Sequence, residues 1–143
     1  MMPKPSLVPL LKIADQRGEL YCCEHRVGSN FPFDIKRMFY IKNVPFHVSR
    51  GGHAHFHCHQ FITAAAGRVM VRTNNGTEKE EFLLVQPSPG LYIPPMVWCQ
   101  LNFSEDAVCI VMASELYSEA DYIRTYDQFL AEADRFVVEE VKK

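Results

Sequence analysis

No apolar run in the chain approaches the roughly 20 residues a membrane span needs. The first twenty residues, MMPKPSLVPLLKIADQRGEL, hold only a short apolar patch broken by Pro9 and by charges. They lack a continuous apolar core and a small-residue cleavage site, so no signal peptide is expected. An excess of either charge is also missing. Fifteen Lys and Arg against seventeen Asp and Glu leave a formal net charge of −2. Bulk electrostatics therefore argues against a nucleic-acid partner, although a few local arginines can still hold a nucleotide. Cysteine spacing of the framework or metal kind is absent too. Cys22, Cys23, Cys58, Cys99 and Cys109 are odd in number and contain no C-x-x-C. Reduced thiols in the cytoplasm are the expectation. There is no internal repeat, low-complexity tract or linker, which implies one domain over residues 1–143.

What is present is a succession of short apolar and β-branched segments. They are LVPLLKI (7–13), ELYCCEH (19–25), KRMFYIKNV (36–44), FITAAA (61–66), RVMVRT (68–73), EEFLLVQ (80–86), GLYIP (90–94), VWCQLNF (97–103) and AVCIVMAS (107–114). Aromatic and β-branched residues suit pleated, half-buried surfaces. NNG at 74–76 supplies a turn, because Asn and Gly tolerate positive φ. Many short, closely spaced strands predict an all-β sandwich or barrel. One helix is predicted over 118–135. There Tyr122, Ile123, Tyr126, Phe129 and Leu130 form an apolar stripe, with Ser118 and Asp121 as an N-cap pair.

Histidines are concentrated in RGGHAHFHCHQ (50–60), at positions 53, 55, 57 and 59. As one strand, this segment would crowd all four imidazoles onto one face and put Gln60 on the other. A turn at FHCH would instead let Gln60 rejoin His53 and His55, leaving His57 and His59 as turn residues. In either register His53 and His55 share a face, about 6.5–7 Å apart along the strand. Imidazole titrates near neutral pH, which suits proton transfer.

G-H-A-H, Gln60 and Gly67 resemble the first motif of the cupin superfamily, and PPMVWCQLN resembles the second. Many cupins bind a metal there. This chain has Gln60 where they carry a glutamate and Cys99 where they carry a histidine. A neutral amide is a poor transition-metal ligand, so no metal is expected, although a His53/His55/Cys99 site stays chemically conceivable.

A narrower resemblance runs from Asp15 to Phe129. DQRGEL (15–20), FPFDIKRMFYI (31–41), RGGHAH with Gln60, GLYIPPMVW (90–98) and VMASELYSEADYIRTYDQF (111–129) are similar, in order, to the TDP-4-keto-6-deoxyglucose 3,4-ketoisomerases. The resemblance implies a cupin-type jelly-roll barrel with one C-terminal helix. It also implies an isomerase of deoxyaminosugar biosynthesis that moves a ketone from carbon 4 to carbon 3 through an enediol or enediolate. The hydrogens move as protons, so no redox cofactor is expected. Partners implied are a TDP-linked keto-deoxyhexose and a second copy of the chain, in a cytoplasmic homodimer.

His53 and His55 are then the proton-transfer residues, and the sequence does not decide which is base and which acid. Tyr40 is a third catalytic candidate. Arg37, Arg50, Arg68 and Arg72 are candidates for phosphate, since guanidinium forks match phosphate oxygens. Arg68 and Arg72 share strand parity, whereas Arg37 and Lys36 alternate. Gln60 can hold a sugar hydroxyl, and Trp98 or Tyr92 can stack on the base. Competing readings are a sugar-nucleotide 3,5-epimerase, a metal-dependent cupin dioxygenase and a non-catalytic TDP-sugar-binding module. No acidic partner for His53 is visible nearby in the sequence.

Overall fold

In the computed structural model, which describes residues 2–142, short strands precede a single long helix. The strands are β1 (Ser6–Val8), β2 (Leu11–Asp15), β3 (Gly18–Cys22), β4 (Arg37–Lys42), β5 (Arg50–His55), β6 (Gln60–Ala66), β7 (Val69–Asn74), β8 (Lys79–Leu84), β9 (Gly90–Ile93), β10 (Trp98–Phe103), β11 (Val108–Ala113) and β12 (Tyr122–Ile123). The helix α1 spans Tyr126–Lys142. Two five-stranded antiparallel sheets face each other, in orders β1-β9-β6-β11-β4 and β12-β5-β10-β7-β8. This is the cupin-type jelly roll. Strands β2 and β3 form a separate hairpin.

The period-2 pattern of each strand decides what enters the barrel. On β10, Cys99, Leu101 and Phe103 face the core, while Trp98, Gln100 and Asn102 turn outward. On β7, Val69 and Val71 are fully buried inside and Arg72 is exposed outside. Strand β6 is buried on both faces. Ile62 and Ala64 join the barrel core, and Phe61 packs outside with Phe31, Phe33 and Met112.

Two local expectations need correction, and one open choice is decided. Segment 7–13 is not one strand, because Pro9 lacks an N–H donor and separates β1 from β2. Of the two registers open for residues 53–60, the chain takes the turn, at 56–59 between β5 and β6. The helix begins at Tyr126, not at Ser118. Thr125 caps it, its Oγ1 accepting the Gln128 N–H at 3.2 Å. Ser118 makes no side-chain capping bond. Residues Glu119–Asp121 form a 3₁₀ turn, and Tyr122 and Ile123 pair as β12 with His55 and Ala54 of β5. The apolar stripe therefore serves two elements. Ile123 is buried from the strand, and Phe129 and Ala133 are buried from the helix.

Two glycines aim the histidines. Opposite β10, Cys99 pairs with His53 and Gln100 with Gly51, so Gly52 is the extra residue of a β-bulge. Gly51 and Gly52 both have positive φ, +86° and +72°. A Cβ on Gly51 would lie 2.8 Å from the Cys99 carbonyl oxygen. The bulge sets the register that places His53 beside the inward Cys99.

Candidate active site

A cavity of about 410 Å³ opens between the sheets, lined on one side by Arg50, His53 and Cys99 and on the other by Phe39, Gln60 and Val111. Strands β5 and β6 reach it from opposite sides of the 56–59 turn. The His53 and His55 rings lie closer than strand spacing alone requires, with centroids 5.0 Å apart and planes at 85°. The Tyr122 ring packs on both, at 5.0 Å from His53 and 4.3 Å from His55.

Among the described residues, three buried side-chain nitrogens lack a hydrogen-bond partner: Arg37 Nε, His53 Nδ1 and His55 Nε2. Buried polar atoms are normally paired. Both site histidines are among the three. The third belongs to Arg37, whose charge is felt by His55. Burial pushes His53 down to about 4, helped by His55 and Arg124. Burial also lowers His55, against the opposing pull of Asp121. Both rings are therefore neutral at pH 7.

The segment before the helix supplies the rest of the wall. Arg124 lines the cavity and stacks over Tyr122 at 4.1 Å. Its guanidinium donates to Glu119 at 2.7 and 2.8 Å, and Tyr117 donates to the same carboxylate. These contacts hold Glu119 down at about 2, Arg124 contributing most. Asp121 lies against His55, with Oδ2 3.2 Å from Nδ1. Asp121, Tyr122 and Arg124 were absent from the sequence-derived set. They lie over 60 residues downstream, in a stretch whose apolar period reads as helix. Only the strand pairing of β12 to β5 reveals them.

Several candidates lie elsewhere. Tyr40 is on the outer face of β4 and 61% exposed. Inward positions on that strand belong to Arg37, Phe39 and Ile41, so β4 brings no hydroxyl to the cavity. Arg72 points outward from β7, pairing with Glu81 at 3.3 Å and donating to Asn102 at 2.7 Å. Arg68 is exposed just before β7, its backbone N–H bound to Ser104. Trp98 is outward on β10 and packs edge-on to Tyr126 and against Phe129. Tyr92 belongs to the outer cluster with Phe31 and Phe33, bound to His59 Nδ1 at 2.7 Å. That contact also removes His59 from the solvated turn, while His57 is exposed. Cys99 is a buried thiol pushed up to about 12 by burial and by Cys109.

Residues 3–134 match the family model described as FdtA: WxcM-like, C-terminal. One relative is the TDP-4-oxo-6-deoxy-alpha-D-glucose-3,4-oxoisomerase of Aneurinibacillus thermoaerophilus. It is 41% identical over 119 residues, covering 82% of this chain and 84% of the relative. Among solved structures, the QdtA sugar 3,4-ketoisomerase from Thermoanaerobacterium thermosaccharolyticum, in complex with TDP, superposes with a TM-score of 0.88. Its identity is 40%, over 94% of this chain and 98% of that one. The WlaRB TDP-quinovose 3,4-ketoisomerase from Campylobacter jejuni gives a TM-score of 0.82 and 37% identity. It covers 89% of this chain and 97% of its own.

Proposed function

The chain belongs to the FdtA family (WxcM-like, C-terminal), and from that premise we propose that it is a TDP-sugar 3,4-ketoisomerase. Its substrate is TDP-4-keto-6-deoxyglucose, and its product is the 3-keto isomer used in deoxysugar biosynthesis. The observation that carries this reading is the pair of adjacent buried imidazoles, each with one nitrogen lacking a partner, of which His53 lines a cavity of sugar-binding size.

The chemistry is a proton relay. A base takes the proton from carbon 3, and oxygen 4 receives one, which leaves an enediol. Carbon 4 then gains a proton and oxygen 3 loses one, so the carbonyl has moved and the atoms balance. Neutral imidazole can accept a proton or, through its N–H, donate a hydrogen bond to the developing oxyanion. His53 and His55 carry these roles. Gln60 and Arg50 line the cavity, where they hold substrate oxygens, and Arg37 adds positive charge near His55.

The enzyme works as a homodimer in this reading. Hairpin β2–β3 pairs Leu11 with Cys22 and Ile13 with Leu20, so one face is apolar. Leu11, Ile13 and Leu20 are each more than half exposed. Isolated two-stranded hairpins are marginal in water, and a second copy is the cover that satisfies this one. Ile13→Lys with Leu20→Lys should convert the dimer to monomer in sedimentation; an unchanged mass would remove the hairpin from the interface. The five unpaired cysteines suit a reducing cytoplasm.

The test of function is NMR of TDP-4-keto-6-deoxyglucose incubated with the protein in deuterium oxide. The 3-keto isomer should appear with deuterium at carbon 4. Folded protein that leaves the substrate unchanged would refute the assignment. Deuterium at carbons 3 and 5 with the ketone kept at carbon 4 would identify an epimerase instead.

A further inference from the structure

We propose that Asp121 is the positioning residue that presents His55 in its proton-accepting form. The inference rests on the isomerase reading above and adds a division of labour between the two histidines. Asp121 sits in the 3₁₀ turn, 66 residues beyond His55. Its Oδ1 accepts the His57 N–H at 2.8 Å. Its Oδ2 accepts the Cys58 N–H at 3.1 Å and lies 3.2 Å from His55 Nδ1. The carboxylate side chain is 12% exposed and that of His55 6%.

A carboxylate offers only lone pairs, so the contact is favourable only if His55 Nδ1 carries the proton and donates it. In a neutral ring that leaves Nε2 bare. Nε2 is the buried, partnerless nitrogen of His55. When it takes a proton, the imidazolium forms beside a fixed negative charge, which stabilises it. Rotation is restrained as well. Tyr122 packs on the ring, and its backbone pairs with that of His55 across β12 and β5. Asp121 thus receives its place from the same short strand that clamps the ring.

His53 has no equivalent. The acid whose charge reaches it, Glu119, is engaged by Arg124 and Tyr117. The two histidines share a strand face but not a chemistry. His55 is the proton acceptor.

The cluster His55, Cys58 and Asp121 also has metal-ligand composition, with ligand atoms within 4.8 Å of one another. Two observations argue against a cation there. Both carboxylate oxygens already accept backbone N–H groups, whose positive ends converge on the same space. The Cys58 thiol is turned to the His59 carbonyl at 3.4 Å.

Imidazole ¹⁵N NMR of the wild-type protein tests the inference directly. His55 should show a protonated Nδ1 and a pyridine-like Nε2 at pH 7. The opposite tautomer would overturn it, as would stoichiometric Zn²⁺ binding that shifts the His55 nitrogens. Asp121→Asn then gives the kinetic test. With the fold intact, kcat should fall about 10²–10⁴-fold with KM changed by less than about threefold, and the His55 tautomer should reverse. A folded Asp121→Asn variant within about threefold of wild-type kcat, or one impaired in KM alone, would also overturn it. Should that variant not fold, the wild-type tautomer still decides. Absence of isomerisation by the wild type would refute the isomerase reading while leaving the tautomer measurement to stand or fall separately.

Discussion

The His53 and His55 rings meet edge to face, 5.0 Å apart, yet only His55 touches a carboxylate, that of Asp121. Two residues apart on one strand, they sit in different electrostatic surroundings. His53 faces His55, Arg124 and Glu119, and its proton affinity is the more sharply reduced, to about 4. His55 faces Asp121, Arg37 and Arg124.

This difference sets the pH dependence of turnover. Both rings act from the neutral state and burial lowers both, so the acid limb of kcat/KM should lie below the ordinary imidazole pKa of 6.5. Arg124→Ala removes a positive charge that disfavours imidazolium. It should move this acid limb to higher pH and raise KM, since Arg124 lines the cavity. A pH–rate series on both proteins checks the claim. A wild-type limb at or above 6.5, or a downward shift in the variant, would contradict it.

Stability should follow the same protons. The folded pKa of His53 lies below its unfolded value, so the unfolded chain binds more protons between pH 6.5 and about 4. The stabilisation is complete above 6.5 and is lost as pH falls through that window. Its size is on the order of 3 kcal/mol. Thermal melts of wild type and His53→Asn from pH 7 to 4 should converge toward acid, with the variant declining less. Parallel curves would show that His53 does not contribute to the pH dependence.

Sequence reading reached the all-β barrel because alternation and turn residues are local properties. It grouped His53, His55, Arg50 and Gln60 because they lie within eleven residues of one another, around a single turn. It failed where position depends on which face of a strand meets the cavity. Tyr40 and Phe39 are neighbours of opposite parity, and nothing local says which points inward. Arg72 and Trp98 failed for the same reason. Asp121 was missed because it sits in a short 3₁₀ turn beside a two-residue strand, and neither carries a detectable period.

The placement of Tyr40 has a direct test. Tyr40 is outside the cavity, so Tyr40→Phe should leave kcat and KM within about twofold of wild type, as for a surface change. Gln60 is 7% exposed in the cavity wall. Gln60→Ala should raise KM about tenfold or more, on the scale of one lost hydrogen bond to substrate. Steady-state kinetics of the two variants separate the faces of the barrel. A large loss with Tyr40→Phe would mean that its hydroxyl reaches substrate.

The paired glycines ahead of His53 differ in a way that two alanine variants can read. At both, φ is positive, so any side chain carries a backbone cost of about 1 kcal/mol. At Gly52 nothing lies within 4 Å of an added Cβ, and that cost should be the whole effect. At Gly51 the added atom would stand 2.8 Å from the Cys99 carbonyl oxygen, a backbone atom that cannot move without disturbing β10. Gly51→Ala should therefore destabilise by about 2–4 kcal/mol, adding steric strain to the backbone cost. It should also lower kcat, because relieving the clash shifts the bulge that sets His53 opposite Cys99. Gly52→Ala should lose stability with kcat largely kept. Denaturation and kinetics on the two proteins check the contrast, and equal effects at both positions would mean that the bulge does not aim the histidine.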